Sequence, residues 1–197
     1  MGIKPKKVAL SFDDGPNPII TPMILGILRE YGVKAAFFVC GANAQRHPHL
    51  VRQIDDEGHI VGNHTFSHSL FLTLTGLALK ETLKTQQILK DILKKDNRFF
   101  RPPYGLSNPL FLRKLKGFGF RVILFDVVVY DWRRSTTADK IVRRVKSSVK
   151  DGSIILLHDG DETKEQADRL EVVKALPNII GFLAGSGFEF VGVDQID

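Results

Sequence analysis

Two histidines four residues apart, in His64-Thr65-Phe66-Ser67-His68, are the pair in this chain best suited to holding a metal ion. On a helical turn that spacing puts both imidazoles on one face, within reach of one cation at ~2.0–2.1 Å. One added carboxylate makes a two-histidine, one-acid set, which suits zinc with an open coordination position and equally non-haem iron(II). The acid must come from elsewhere in the chain, and Asp13-Asp14 is the best candidate. Adjacent carboxylates repel one another unless their roles differ. With Asp14 on a cation its charge is neutralised, and Asp13 is free to act as a base toward water. Gly15-Pro16 then turns the backbone sharply.

Three more polar residues fit the same chemistry. Arg101 stands before Pro102-Pro103, a stiffened segment, and a fixed guanidinium can hold Asp13 ionised and oriented. His158 suits the role of general acid, with Asp131 stabilising its imidazolium form and raising its pKa. The other histidines read differently. His47 and His49 flank Pro48 at a helix start, and His59 opens a strand at the end opposite His64. Cys40 ends an apolar run and reads as inert packing.

The elements that must carry these groups alternate. Short β-rich runs cover residues 7–12, 35–40, 59–63, 98–100, 121–127, 153–157 and 188–191. Between them lie amphipathic segments that read as helices: from Thr21, the expected N-cap, to Gly32; 48–57; from Thr75, the expected N-cap, to about 95; 108–116; 137–149; and 166–176 and 178–184, separated at Pro177. Seven strands separated by helices are the pattern of a parallel sheet built from βαβ units. Pattern alone leaves doubly wound and barrel arrangements both open. In either, reactive groups gather where strands end. Asp13-Asp14, His64, Arg101, Asp131 and His158 all follow such ends.

Composition sets outer bounds. With 197 residues, 43% hydrophobic and 25% charged, the chain reads as one globular domain spanning residues 1–197, and disorder or a collagen-like repeat is excluded. One cysteine rules out an internal disulfide and a multi-cysteine metal site. The longest apolar run, Ala35 to Cys40, is far short of the ~18 residues of a membrane span. The basic start, Met1 to Lys7, lacks the hydrophobic region of a signal peptide. The net charge of +6 is compatible with anionic partners, but no aromatic–basic recognition motif accompanies it, so no nucleic-acid role is expected.

Five segments in order carry a resemblance: Ser11-Phe12-Asp13-Asp14-Gly15-Pro16, His64-Thr65-Phe66-Ser67-His68, Arg101-Pro102-Pro103-Tyr104-Gly105, Asp131-Trp132 and Leu156-Leu157-His158. They resemble the motifs of the polysaccharide deacetylases (carbohydrate esterase family 4, the NodB-homology domain), from Val8 to about Val193. The resemblance implies an α/β fold, a distorted (β/α) barrel of about seven strands, similar to a TIM barrel. It implies metal-dependent removal of N-acetyl groups from N-acetylglucosamine units of peptidoglycan or chitin-like oligosaccharides. Zinc is the expected cofactor, with cobalt or another divalent ion as variants, and an acetylated amino-sugar polymer or oligomer is the expected partner.

By that pattern Asp14, His64 and His68 bind the metal and Asp13 is the general base. Arg101 orients Asp13, while Asp131 tunes His158 as the acid. Tyr104 offers its backbone N–H to the oxyanion, and Trp132 and Leu156 wall the pocket for the acetyl methyl group. The family's usual setting places the chain outside the cell or at the wall. Some members carry a further Asp where this chain has Val128, with Asp126 the nearest carboxylate. Members acting on N-acetylmuramic acid tend to have Arg in place of Tyr104, so Tyr104 points to N-acetylglucosamine. Alternatives are hydrolysis of another C–N bond or of O-acetyl groups, as on xylan, and a silent carbohydrate-binding protein, although the last expects a broken acid–base set.

Overall fold

The computed structural model describes residues 5–161 and 168–196. Eight parallel strands form one curled sheet: β1 (Lys6–Asp13), β2 (Ala36–Val39), β3 (Ile60–Asn63), β4 (Phe99–Phe100), β5 (Arg121–Val122), β6 (Val127–Val128), β7 (Ser153–His158) and β8 (Phe188–Phe190). Their order is β5-β4-β3-β2-β1-β7-β6, with β8 pairing the first residues of β1. This is the distorted (β/α) barrel that the resemblance implied, and it resolves the choice that periodicity left open. The eighth strand arises because the expected strand 121–127 is two short ones.

Helices cover the outside: α1 (Ile20–Glu30), α2 (Gly41–Arg46), α3 (Pro48–Asp56), α4 (Leu70–Thr75), α5 (Leu79–Leu93), α6 (Pro109–Gly117), α7 (Ala138–Ser148) and α8 (Leu170–Gly185). Central strands are buried on both faces, as parallel strands under helical crossovers must be. In β1, Leu10 and Phe12 pack toward the main core with Phe37, Leu25, Ile155 and Ile179. Ala9, on the other face, joins Ala36, Phe38 and Val193 inside the barrel. The register sets Asp13 beside Phe38 on one side and His158 on the other, and pairs Asn63 with Phe100. The carboxyl ends of β1, β3, β4 and β7 therefore open onto one rim.

Several expected boundaries move, each for a local reason. Residues 123–126 leave the sheet because the Ile123 and Leu124 carbonyls accept from the Arg101 guanidinium at 3.2 and 3.3 Å. Asp126 takes the Ile154 N–H and the Ser153 hydroxyl with its side chain, at the end of β7 remote from His158. Thr21 does not cap α1. Asn17 does that work, accepting from Ile19 and Ile20 N–H at 2.9 Å. Thr75 ends α4 instead of starting a helix, its hydroxyl bonded back to the Phe71 carbonyl at 2.7 Å. Pro177 sits inside a continuous α8, where Ala175, Leu176, Ile179 and Ile180 bury the same face on both sides of it. The expected helix start at Gln166 lies outside the described residues.

Candidate active site

The turn after β1 divides the paired carboxylates. Asp13 is still in the ladder, while Asp14 has φ 74°, a left-handed conformation that Asp tolerates better than most residues. One side chain therefore turns toward Arg101 and the other toward the histidines. Arg101 Nη1 donates to Asp13 Oδ1 at 2.7 Å and to Ser11 Oγ at 2.9 Å. Arg101 is fully buried, and its guanidinium also lies over the Phe38 ring at 4.0 Å. Burial pushes the Asp13 carboxyl above the usual carboxylate range, against the opposing pull of Arg101.

The segment from His64 to His68 is a turn, not a helix, with left-handed backbone at Thr65 and His68. Asn63 imposes it: its buried Oδ1 accepts from Thr65 N–H at 2.9 Å, an Asx turn that competes with helix. The two rings still converge, with centroids 4.8 Å apart. His64 Nε2 lies 3.5 Å and His68 Nε2 3.3 Å from Asp14 Oδ1. All three residues are buried, and their possible ligand atoms lie within 4.8 Å of one another.

This donor set fits a tetrahedral ion. Two ligands at 2.0–2.1 Å subtending the tetrahedral angle are about 3.4 Å apart. The observed separations from Asp14 match that figure. The imidazoles are also in the state a cation needs. Burial holds both His64 and His68 down at about 3, so each is neutral near pH 7. His64 Nδ1 lies 2.8 Å from the Arg101 carbonyl, which can only accept, so Nδ1 carries the proton and Nε2 the lone pair.

Across the site, His158 Nδ1 donates to Asp131 Oδ1 at 2.8 Å, and its backbone N–H reaches Asp131 Oδ2 at the same distance. Burial works to lower the His158 pKa, but Asp131, Asp14 and Asp13 together raise it to about 9. Its Nε2 points toward Asp14 Oδ2 at 3.9 Å. Trp132 stands edge-on to His158 at 5.2 Å, and Tyr104 lies 4.6 Å from the His68 ring. With Leu156 these side chains line one cleft of about 960 Å³ that also holds Asp13, Asp14, His64 and His68. All ten residues singled out from the sequence thus meet at one rim, with Arg101 and Asp131 directly behind Asp13 and His158. Val128 lines the cleft as well, whereas Asp126 does not.

Sequence reasoning missed the groups that hold the Asp14 turn. Asn43, on the unexpected α2, donates to the Asp14 carbonyl at 2.6 Å. Asp159 is fully buried, accepts from the Thr21 hydroxyl, and presses its carboxylate against Gly15 where a Cβ would stand. Burial pushes the Asp159 carboxyl up to about 7. The signal available was slight: an Asp-Gly pair directly after His158, and an Asn in a polar, aperiodic stretch.

Comparison with known proteins finds relatives over most of the chain. A family model described as polysaccharide deacetylase matches residues 2–123. A peptidoglycan-N-acetylglucosamine deacetylase of Bacillus cereus is 35% identical over 193 residues, covering 97% of this chain and 88% of that protein. A chitooligosaccharide deacetylase of Sinorhizobium fredii is 38% identical over 189 residues, covering 92% of this chain and 87% of the relative. The crystal structure of a peptidoglycan N-acetylglucosamine deacetylase in complex with 4-naphthalen-1-yl-N-oxidanyl-benzamide superposes with a TM-score of 0.90 at 34% identity, covering 98% of this chain and 88% of that one. With fold, motif order and relatives in accord, this chain belongs to the polysaccharide deacetylase family.

Proposed function

We propose that this chain is a metal-dependent hydrolase that removes N-acetyl groups from N-acetylglucosamine units of peptidoglycan or chitin-like oligosaccharides, working outside the cell or at the wall. The observation that carries the reading is the buried Asp14–His64–His68 cluster with Asp13 and His158 on either side of it. Those three residues would hold the cation, and two neutral imidazoles with one carboxylate suit zinc. When bound, it supplies Lewis acidity to the acetamide carbonyl and makes water more acidic.

The chain's own groups do the rest. Asp13, fixed by Arg101, takes the proton of the attacking water. Its burial-raised pKa makes it a better base than an exposed carboxylate. The Tyr104 backbone N–H donates to the oxyanion that develops at the acetyl carbon; one such donor is worth about 2.7–4 kcal/mol. His158 is protonated before the reaction, because Asp131 supports its imidazolium, and it gives that proton to the departing amine. Trp132 and Leu156 exclude water around the acetyl methyl group.

The test is mass spectrometry of acetylated chitooligosaccharides and peptidoglycan fragments incubated with the zinc-loaded protein. Loss of acetyl groups is expected. Asp13→Asn should lower turnover by roughly 10²–10⁴-fold while zinc binding, measured by chelator competition, persists. Inactivity of the wild type with every divalent metal, or full activity of Asp13→Asn, would refute the reading.

A further inference from the structure

The cleft wall beyond His158 carries an aromatic and cationic ledge of which the chemistry above uses only Trp132. It begins at Trp132 and continues to Tyr130, whose ring centroid lies 5.4 Å from that of Trp132. The Arg133 guanidinium covers the Tyr130 ring at 4.6 Å, and Arg144 approaches the same ring at 5.1 Å. Arg144 is tied back to the Val129 carbonyl at 2.6 Å. Tyr130 has φ 55°, a conformation a bulky residue adopts only where its surroundings impose it. The outcome is a fixed pair of aromatic side chains, 37% and 43% exposed, beside the reacting centre. The exposed Trp132 ring suits the apolar side of a sugar ring, and Tyr130, covered by the guanidiniums, supports it from the side.

Charge then decides what that sugar carries. Among the described residues the outer acids of the cleft already have partners: Asp161 faces Arg169 at 3.8 Å, Asp168 accepts from Leu170 N–H at 3.1 Å, and Glu171 takes Lys174 and the Ala138 N–H at 2.7 Å. Arg133 and Arg134 also line the cleft, are exposed, and make no ion pair among the described residues. Two guanidiniums without an ion-pair partner among the described residues, next to a sugar platform, form a carboxylate-binding edge, since the guanidinium fork matches a carboxylate.

We propose that Arg133 and Arg134 bind a carboxylate on the sugar unit next to the one deacetylated. The chain therefore favours a carboxylate-bearing amino-sugar strand, as in peptidoglycan, over a neutral chitin-like oligomer. This rests on the deacetylase reading for the position of the reacting sugar.

The test compares length-matched N-acetylglucosamine oligomers with peptide-free peptidoglycan strands, whose lactyl groups carry carboxylates. An exposed ion pair is worth up to about fivefold, so Arg133→Gln/Arg134→Gln should lose about tenfold in kcat/KM on the carboxylate strand, through KM. The loss on the neutral oligomer should be several-fold smaller, and Arg134→Lys should keep most of the preference. Amidating the strand's carboxylates should bring the wild type down to the level of the variant. Equal losses on both substrates, or none on the carboxylate strand, overturn the proposal. Calorimetric binding of both strands to zinc-loaded Asp13→Asn decides the same question without turnover. Preference for the carboxylate strand there supports the proposal even if deacetylation fails, and equal affinity overturns it.

Discussion

Arg101 and Asp13 form a buried ion pair whose worth can be measured apart from activity. Arg101 is fully buried and its guanidinium serves Asp13, Ser11 and the Ile123 and Leu124 carbonyls. Arg101→Met fills a similar volume but strands the Asp13 carboxylate and those acceptors. Removing one partner of a buried pair typically costs about 3–5 kcal/mol. Near 2–4 °C of Tm per kcal/mol for a chain this long, that is a drop of roughly 6–20 °C. Asp13→Asn should cost less, about 1–3 kcal/mol, because the amide oxygen still accepts from Arg101. In the double variant neither charge remains, so its cost should fall short of the sum by about 2 kcal/mol. Urea unfolding of the four proteins in excess chelator measures this coupling without a contribution from bound metal. Additivity within about 0.5 kcal/mol would refute the reasoning, since it would mean that the two groups do not depend on each other.

Two further outcomes follow from groups around the site and below it. His59 is buried, its Nδ1 accepts from Ala35 N–H at 3.2 Å, and burial lowers its pKa to about 4. The unfolded chain, with His near 6.5, then binds more protons than the native one between about pH 6.5 and 4, so stability falls as pH drops through that window. The loss between pH 7 and 4.5 should be about 2 kcal/mol, and His59→Gln, which keeps an acceptor and does not titrate, should show that much less acid sensitivity in urea midpoints. Equal pH slopes would sink the assignment. Gly15→Ala drives a Cβ into the Asp159 carboxylate, which Thr21 pins from behind. It should cost about 1–3 kcal/mol by overpacking and weaken zinc binding roughly tenfold through the neighbouring Asp14, with Gly15→Ala/Asp159→Ser recovering part of both. Unchanged stability and zinc affinity in Gly15→Ala would show that the contact yields freely.

The candidate site residues were legible because they are chemically out of place. Asp13, Asp14, His64, Arg101, Asp131 and His158 interrupt or follow apolar strand-forming runs, and parallel strands bring such interruptions to one rim. The supports were not legible, because a side chain bonded to a distant backbone group has no spacing. Asn43 reaches the Asp14 carbonyl and Thr21 reaches Asp159 across 29 and 138 residues of sequence. Helix α2 was missed since Gly41, Asn43 and Ala44, its buried residues, show no apolar stripe. The break at residues 123–126 was hidden for the opposite reason: the run looks like strand, and only Arg101, from another element, draws its carbonyls away.

His64 and His68 converge as their spacing implied, but through a turn and not a helix, and the reason extends to the whole site. Among the described residues six non-glycines have left-handed backbone: Asp14, Thr65, His68, Lys94, Tyr104 and Tyr130. Lys94 merely ends α5. The other five lie at the rim, and four of them line the cleft. A sparsely populated conformation costs of order 1–3 kcal/mol, so five together rival the ~5–15 kcal/mol net stability of a domain. They persist because firm contacts surround them: Asn43 and the Phe38 carbonyl hold Asp14, Asn63 holds Thr65, and two guanidiniums cover Tyr130. A regular helix or strand would have sent these side chains along its own period. Irregular backbone on a rigid sheet lets residues adjacent in sequence, such as Asp13 and Asp14, face different partners and so fit the two different parts proposed for them.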